Sequence, residues 1–246
     1  MREDPEKVEM KEVERHASFK GKDILEVGCG DGRLTFQYAE SAKKVVAIDP
    51  SAKAITEARK SIPKKLFPKV SFRVGRGEGL SFPDETFDIV FLSWSLCCTD
   101  IPAMGRALDQ SWRVLRRKGV LINIQSSLHQ PFSKGMISYM LQRNSGPDIS
   151  DEGDRQARLA LRHASLVEGK FDFLAEEEFP VYSYYDTVTE ALRDITAQNG
   201  VKYGEMSEET KRRIRAILAS LETKNGVRIQ ENAVLTVLRK ASAERT

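Results

Sequence analysis

Short apolar runs alternate with helix-compatible segments along the first half of the chain. The runs are nearly continuous, which is typical of strands buried on both faces of a parallel sheet. Because strands and helices alternate over residues 22–125, the pattern predicts an α/β fold with right-handed crossovers. The runs are Ile24–Val27, Val45–Ile48, Val70–Val74, Phe87–Leu92 and Val120–Ile124.

The pattern changes after His129, where helical stripes become more frequent. One short helix is predicted with Phe132, Met136 and Met140 on a common face. We expect residues 129–225 to form helical insertions and a strand that build an acceptor site or a lid, although core packing would produce the same methionine stripe. The further predicted elements are an acidic loop at 145–153, a helix near Arg155–Val167, a strand at Phe179–Tyr185, helices at Thr187–Gln198 and from Ser207, and a closing strand at Ala233–Leu238.

Composition narrows the class of protein. The 246 residues are 40% apolar and 30% charged, as expected for one globular domain spanning residues 1–246, with residues 22–125 as its ligand-binding core. A net charge of +3 is too small to indicate a nucleic-acid partner. No apolar run approaches the roughly 18–20 residues of a membrane span. The three cysteines lack zinc-site spacing, so we expect free thiols, no metal and a reducing, cytoplasmic compartment.

The stretch Asp23–Gly32 carries the clearest functional pattern. An apolar strand ends in glycines at alternate positions, Gly28, Gly30 and Gly32, and a helix-compatible segment follows. Glycine is needed where the backbone takes a positive φ or lies directly against a ligand. The stretch therefore predicts a strand, a ligand-binding turn and a helix.

The spacing of this turn argues against phosphate ligands. A dinucleotide fingerprint requires a third glycine where this chain has Arg33, and a P-loop requires a Gly-Lys-Ser/Thr ending that is absent. Glu26 also lies two residues before the first glycine. A carboxylate there is poorly placed beside a pyrophosphate and well placed beside a cation, such as the ammonium or sulfonium of S-adenosylmethionine.

In this stretch the sequence resembles the class I S-adenosylmethionine-dependent methyltransferases, specifically the small-molecule type with the signature Glu-Val-Gly-Cys-Gly-Asp-Gly. The resemblance covers about residues 22–125 and returns at the last strand. It implies a Rossmann-like, doubly wound and mainly parallel sheet of seven strands, with the last strand antiparallel. It also implies S-adenosyl-L-methionine as cofactor and S-adenosyl-L-homocysteine as product.

The resemblance assigns cofactor contacts to four ordered motifs. The acid that ends the second strand, followed by a proline, would hold the ribose hydroxyls, and the segment after the third strand would carry the adenine. Many relatives have an acid where this chain has Arg76, and Glu78 is the candidate to compensate. The implied contacts are Glu26, Gly28, Cys29, Gly30 and Gly32 for the methionine portion, Asp49 and Pro50 for the ribose, Gly77, Glu78 and Gly79 for the adenine, and Ser93 for closure over the methionine.

A fifth stretch, Trp112–Gly119, matches the helix-to-strand signature of the same group. We expect a helix from about Met104 to Leu115, closed by the basic segment Arg116–Gly119, because cations are favourable at a helix C-terminus. The fifth strand would then begin at Val120.

Methyl transfer is mainly an orientation task, so a general base is needed only where the acceptor must lose a proton early. His129 follows the fifth strand, where parallel-sheet folds place active-site residues, and is the candidate base; an ordinary loop histidine is the alternative. Tyr182, Tyr184 and Tyr185 could line an acceptor pocket or pack within a strand. The adjacent pair Cys97–Cys98 is interpreted as small apolar filler, with thiol chemistry as the alternative.

The sequence thus predicts transfer of a methyl group to an unidentified small molecule. Two alternatives stay open: methylation of RNA or protein, for which Lys211, Arg212, Arg213 and Arg215 would supply basic contacts, and cofactor binding without transfer. A solvated helix face explains the same basic residues.

Overall fold

The computed structural model describes residues 1–145, 150–198 and 201–242. Within these ranges the helices are α1 (Val8–His16), α2 (Thr35–Tyr38), α3 (Ala52–Ser61), α4 (Ile101–Val114), α5 (Phe132–Ser145), α6 (Ser150–Arg162), α7 (Val188–Gln198) and α8 (Glu208–Ser220). A π-helical segment, His163–Val167, continues α6. Of the acidic loop predicted at 145–153, residues 146–149 lie outside the described residues.

The described strands are β1 (Arg2–Glu3), β2 (Asp23–Val27), β3 (Lys44–Asp49), β4 (Val70–Val74), β5 (Phe87–Ser93), β6 (Leu115–Ser126), β7 (Phe171–Tyr185), β8 (Glu222–Thr223) and β9 (Gly226–Lys240). Seven of them are the long strands of the predicted sheet. The two-residue strands β1 and β8 were not predicted, because two residues carry no periodic signal.

The chain divides into two compact units. The first unit comprises residues 1–9, 126–152 and 178–233, and the second comprises residues 10–125, 153–177 and 234–246. Strands β7 and β9 contribute residues to both. The prediction of one domain over residues 1–246 stays a prediction.

The second unit contains the parallel sheet. Its strands follow the order β7-β9-β6-β5-β2-β3-β4. The pairs β2–β3, β2–β5, β3–β4 and β5–β6 are all parallel, as the apolar runs predicted. The last strand is antiparallel: the end of β9 lies beside the start of β6, where Lys240 Nζ donates to the Leu115 carbonyl at 2.7 Å.

Both faces of this sheet are buried. On one face Leu25, Val90 and Leu121 belong to a cluster that includes Met104 and Leu108 of α4. The opposite face is covered by aromatic rings, where Phe19 stacks on Tyr38 with ring centroids 4.4 Å apart and Tyr38 meets Phe91 edge-on at 5.9 Å. This two-sided burial explains why the strands show no polar alternation.

The first unit has its own apolar core. Ile214 and Leu218 of α8 are fully buried against Ile137 of α5 and Leu192 of α7. Met140 packs partly buried against the same cluster. The helical insertions predicted between the fifth and last strands are therefore present. Of the predicted stripe, Met140 packs against this core, whereas Phe132 is 80% exposed.

The segment Arg116–Gly119 does not close a helix, so that prediction was wrong. Helix α4 ends at Val114, and Leu115 already opens β6. The segment forms an irregular start to the strand, with a register shift against β5 and a positive φ of 62° at Lys118. Arg116 belongs to β6, where its guanidinium forms ion pairs with Asp23 at 3.0 Å and Asp88 at 2.9 Å.

The other elements are of the predicted type, but several differ from the prediction in length. Helix α2 has only four residues, and α6 begins at Ser150 instead of near Arg155. Strands β7 and β9 each run over 15 residues, far beyond the predicted apolar cores. The additional positions in β7 are mostly half-buried or exposed, so hydrophobicity alone does not reveal them.

Candidate functional site

Four chain segments follow the carboxyl ends of parallel strands β2, β3, β4 and β5. Val27 lies opposite both Ile48 and Leu92 in the sheet, so these strands end at the same level. The shared edge is where open α/β sheets bind ligands. We call the following set the carboxyl edge: the glycine turn Gly28–Gly32, Asp49–Ser51, the turn Gly77–Gly79, and Ser93–Ser95. All of it belongs to the second unit.

The glycine turn needs its glycines for two different reasons. Gly28, Gly30 and Gly32 all have positive φ, at 79°, 55° and 88°. A Cβ on Gly28 would lie 2.1 Å from the Ser95 Cβ, so this position has no room for a side chain. Around Gly30 no atom lies within 4 Å of such a Cβ. Its backbone therefore remains open to a ligand.

Asp49 is held in place by two backbone amides. The Gly30 N–H donates to Oδ2 at 2.9 Å, and the Ser51 N–H donates to Oδ1 at 2.8 Å. Because each carboxylate oxygen can accept two hydrogen bonds, both oxygens keep capacity for one further donor. Asp49 is half-buried and the adjacent Pro50 is exposed. The two preset oxygens suit a ligand with two neighbouring hydroxyl groups.

Glu26 is fully buried and points toward α2. Its Oε2 accepts hydrogen bonds from Thr35 Oγ1 at 2.5 Å and Tyr38 OH at 2.6 Å. Burial raises the pKa of Glu26 to about 7, against the lowering effect of these two hydrogen bonds. The described contacts join β2 to α2; contact with a cationic ligand group stays a prediction.

The turn Gly77–Gly79 packs directly against the glycine-turn strand. A Cβ on Gly77 would lie 3.1 Å from Val27 Cγ1 and 3.4 Å from Ala107 Cβ, so the turn fits closely between β2 and α4. Glu78 forms an ion pair with Arg76 at 3.6 Å. The carboxylate proposed to compensate for Arg76 is therefore partnered by that same arginine.

Arg113 of α4 fixes the chain that follows this turn, a role that sequence reasoning missed. Its guanidinium donates to the carbonyls of Leu80 at 2.8 Å and Phe82 at 2.7 Å, and to Asp84 Oδ1 at 2.8 Å. Gln110 Oε1 accepts from the same group. The only sequence signal is the Trp112–Gly119 signature, which marks the residue but not the carbonyls that it binds.

Ser93–Ser95 close the carboxyl edge beside the glycine turn. Trp94 has an unusual positive φ of 53°, and its N–H donates to the Ile124 carbonyl at 2.8 Å. Ser95 Oγ donates to the Val27 carbonyl at 2.7 Å. Ser93 Oγ is buried and has no hydrogen-bond partner within the part of the chain that the structure describes. An unpaired buried hydroxyl is costly, so this group is suited to a ligand.

These residues fit the cofactor that the resemblance implies. Asp49 offers two fixed acceptors for a vicinal diol, Gly30 leaves its backbone open, and Ser93 supplies a free hydroxyl. No described group at the carboxyl edge resembles a phosphate cradle with a lysine. The candidate contacts apart from Glu26, which is buried toward α2, lie at the carboxyl edge, as does Ser95, which was not predicted. They are Gly28, Cys29, Gly30, Gly32, Asp49, Pro50, Gly77, Glu78, Gly79 and Ser93.

His129 belongs to the first unit and is mostly exposed, with 80% of its side chain accessible. Its Nδ1 lies 3.3 Å from Glu178 Oε2, which also accepts from Ser127 Oγ at 2.6 Å. Asn232 Nδ2 donates to Oε1 of the same carboxylate at 3.2 Å. The hydrogen bond from Ser127, followed by those from His129 and Asn232, lowers the pKa of Glu178. An anionic Glu178 can orient the imidazole, and catalysis by His129 stays a prediction.

The tyrosines of β7 differ in environment. Tyr185 is buried in the core of the first unit, with its hydroxyl donating to Asp194 at 2.9 Å. Tyr184 OH hydrogen-bonds Glu6, and the Tyr182 ring lies 4.1 Å from the Arg228 guanidinium. These contacts are typical of strand packing.

Three of the four basic residues of α8 are engaged within the chain, whereas Arg212 is exposed. Lys211 pairs with Glu208 at 2.7 Å, and Arg213 pairs with Glu209 at 2.5 Å. Arg215 hydrogen-bonds the Tyr203 hydroxyl. The solvated helix face is therefore the better interpretation of this charge run.

The cysteines separate into buried and exposed groups. Cys29 is buried in the glycine turn, and burial raises its pKa. Cys97 packs partly buried against the core, as a filler would, whereas Cys98 is exposed, so the filler prediction was wrong for that residue.

The described residues contain no group of three or more His, Cys, Asp or Glu side chains placed to hold one metal ion. Within the described ranges every helix is too short or too polar to span a bilayer.

Residues 25–123 match the family model described as a methyltransferase domain. A protein of Aspergillus luteorubrus named as a methyltransferase, ltbC, is 38% identical over 107 residues, which cover 40% of this chain and 38% of that protein. The ubiquinone/menaquinone biosynthesis C-methyltransferase of Rickettsia bellii is 30% identical over 170 residues, 64% of each chain. The matched part thus spans less than two thirds of the length of these relatives.

Solved structures show the same fold over nearly the whole chain. A Bacillus halodurans protein assigned to the methyltransferases has a TM-score of 0.65 at 19% identity, covering 95% of this chain and 98% of that one. The [4+2]-cyclase SpnF has a TM-score of 0.59 at 19% identity, covering 96% of this chain and 81% of that one. Geranyl diphosphate C-methyltransferase from Streptomyces coelicolor, bound to S-adenosyl-L-homocysteine, has a TM-score of 0.57 at 13% identity and covers 95% and 77%.

Proposed function

From the match of residues 25–123 to the methyltransferase domain model, we propose that the protein transfers a methyl group from S-adenosylmethionine to a small-molecule acceptor. The observation that carries the proposal is the carboxyl edge itself. There the fixed carboxylate of Asp49 lies beside the open backbone of Gly30, at 2.9 Å from its amide nitrogen. An acidic, lysine-free edge favours a phosphate-free cofactor over a dinucleotide.

The residues of the edge would act mainly by orientation. When bound, S-adenosylmethionine supplies an activated methyl group on a sulfonium. Asp49 would hold the ribose hydroxyls, and the turn Gly77–Gly79 would receive the adenine. Ser93 and the glycine turn would contact the methionine portion. Fixing both reactants in line lowers the barrier without acid–base chemistry at the sulfonium.

The named relatives and the contacts of the α8 cations both support a small-molecule acceptor. The relatives named above include a C-methyltransferase of ubiquinone/menaquinone biosynthesis, and a neighbour of the same fold is a geranyl diphosphate C-methyltransferase. Of the α8 cations that an RNA would require, Lys211 and Arg213 pair with Glu208 and Glu209, and Arg215 hydrogen-bonds Tyr203. RNA or protein methylation is therefore the weaker alternative.

Cofactor binding without methyl transfer is the second alternative, and one observation favours it. A protein named as a [4+2]-cyclase shares this fold over 96% of the chain. Fold alone therefore does not establish transfer to an acceptor.

His129 is the residue we propose for proton removal from the acceptor, with Glu178 orienting its ring. Replacing His129 with Asn should lower kcat and remove the limb of the pH–rate profile that reports a histidine, while KM for the cofactor is unchanged. An unaltered pH profile would exclude this role.

Methyl transfer is tested with S-adenosylmethionine labelled in its methyl group. The acceptor panel contains 1,4-naphthohydroquinone, simple phenols, bulk tRNA and an unmodified protein extract. The proposal expects label in an organic-extractable small molecule and one S-adenosylhomocysteine per methyl transferred. Label in tRNA or protein alone would overturn it. Tight S-adenosylhomocysteine binding with no transfer to any panel member would support the cofactor-binding alternative.

A further inference from the structure

The pair Cys97–Cys98 presents two thiols at the surface of the second unit. Their sulfur atoms lie 4.0 Å apart. Cys98 is exposed and Cys97 is half-buried against the core. Both residues lie in a single helical turn, Leu96–Cys98, directly after Ser95. The pair is therefore a preformed dithiol on a short, ordered segment.

The backbone disfavours a disulfide between these two cysteines. Consecutive Cα atoms joined by a trans peptide lie about 3.8 Å apart, whereas disulfides usually need about 4.4–6.8 Å. No cis peptide occurs among the described residues. Direct sulfur–sulfur bonding would strain the turn, but an atom placed between the two sulfurs would not require them to meet.

The surroundings keep the turn in place. The Cys98 N–H donates to the Ser95 carbonyl at 3.1 Å, and Cys98 Sγ donates to the Trp94 carbonyl at 3.5 Å. On the other side Gly153 approaches so closely that a Cβ there would lie 2.4 Å from the Cys97 carbonyl oxygen. The dithiol is thus fixed on both sides, and its geometry is set before any ligand arrives.

We propose that Cys97 and Cys98 form a two-thiolate binding site for a soft, thiophilic atom, in particular trivalent arsenic carrying one organic substituent. Soft thiolate ligands select soft acceptors. A ligand that uses two sulfurs and one organic group needs no third protein ligand, which matches the two thiols present. The site does not depend on methyl transfer.

The charge state of the pair supports this chemistry. A hydrogen bond from the Cys97 thiol lowers the pKa of Cys98, which raises its thiolate fraction. The same interaction, with burial and the Asp154 carboxyl, raises the pKa of Cys97. Cys98 is therefore the first nucleophile, and Cys97 follows once its proton has left.

The binding step is a condensation without change of oxidation state. An organoarsenic(III) oxide meets the two thiols, and two arsenic–sulfur bonds form as the arsenic–oxygen bonds break. The oxygen leaves as one water molecule with the two thiol protons. No oxidant or reductant takes part.

The test uses phenylarsine oxide and intact-protein mass spectrometry of the full chain. The native protein should gain one phenylarsenic group per chain with loss of one water. Excess glutathione, a monothiol, should leave this adduct in place, and 2,3-dimercaptopropanol should remove it. Absence of the adduct, or its removal by the monothiol, would overturn the proposal without any variant.

Matched variants locate the site. Cys97→Ser and Cys98→Ser should each reduce adduct that survives glutathione by more than tenfold, whereas Cys29→Ala should retain it, because Cys29 is buried in the glycine turn. A cooperative thermal unfolding transition for each variant is the control for correct folding. Adduct of native stability in either Cys97→Ser or Cys98→Ser would contradict two-thiolate binding.

Discussion

Two acidic residues at the strand ends behave differently because their surroundings differ. Glu26 is fully buried, and its described partners are the hydroxyls of Thr35 and Tyr38. Asp49 is half-buried and is held by the amides of Gly30 and Ser51. The first arrangement stabilises a protonated or hydrogen-bonded carboxyl inside the fold. The second presents an oriented carboxylate at the edge of the sheet.

Replacing Asp49 with Ala should weaken S-adenosylhomocysteine binding by about 1.5–3 kcal/mol, the range for hydrogen bonds to a charged group. Titration calorimetry measures the change, and Glu57→Ala on the exposed face of α3 is the matched control. Equal affinities for Asp49→Ala and native protein would exclude the proposed ribose contact.

The raised pKa of Glu26 predicts that the free energy of unfolding decreases as the pH rises. Because its pKa rises from the model-peptide range to about 7 in the folded protein, the folded state binds the proton more tightly. Its contribution to the free energy of unfolding is present at low pH and is lost as pH rises toward and through 7. Between pH 5 and pH 8 the native protein should lose about 2–3 kcal/mol relative to Glu26→Gln.

Urea denaturation of both proteins at the two pH values measures this difference, since all other titrating groups are shared. Parallel stability curves for native protein and Glu26→Gln would show that Glu26 titrates normally.

Substitutions at Gly28 and Gly30 distinguish the cost of a positive φ from the cost of a steric clash in the turn. Gly30→Ala should cost about 1–2 kcal/mol of stability, the left-handed backbone penalty. Gly28→Ala should cost more, because its Cβ would also meet the Ser95 Cβ at 2.1 Å. Thermal and urea unfolding of the two variants test the order, and a smaller loss for Gly28→Ala would contradict the described packing.

At the scale of elements, α4 fixes the loop that follows the Gly77–Gly79 turn through Arg113. One guanidinium binds the carbonyls of Leu80 and Phe82 and the side chains of Asp84 and Gln110. A lysine cannot reproduce this fork of donors. The loop after the Gly77–Gly79 turn therefore depends on a residue more than thirty positions away along the chain.

Arg113→Lys should lower the free energy of unfolding by about 1.5–3 kcal/mol, the range for lost hydrogen bonds to a charged group, and should accelerate amide exchange at residues 80–84. Arg106→Lys on the same helix is the control, because Arg106 is exposed and makes one described hydrogen bond, to the Pro102 carbonyl at 3.2 Å. Equal exchange in the two variants would show that Arg113 does not order the loop.

The elements also show what local sequence patterns can predict. The strands β2 to β5 follow from short-range patterns. The N-cap of α3 is equally local, because Ser51 Oγ accepts from the Ala54 amide at 3.2 Å. The misplaced boundary at Arg116 depends on ion pairs with Asp23 and Asp88, which are distant in sequence. The hydrogen bonds of Arg113 and the closeness of Ser95 to Gly28 are likewise tertiary.

At the scale of the whole molecule, the α/β fold class and the parallel part of the sheet were predictable, because strands β2 to β6 each carry an apolar run. The antiparallel last strand was expected only from the family resemblance. The division into two compact units was not predictable, since β7 and β9 extend through polar and half-buried positions. The sequence likewise leaves the acceptor unidentified.

The central claim is that the carboxyl edge binds S-adenosylmethionine and not a dinucleotide. Isothermal titration of the native chain with S-adenosylhomocysteine and, in parallel, with NAD tests it most directly. We predict saturable heat with one S-adenosylhomocysteine per chain and none with NAD. Binding of NAD with no heat from S-adenosylhomocysteine would contradict the account.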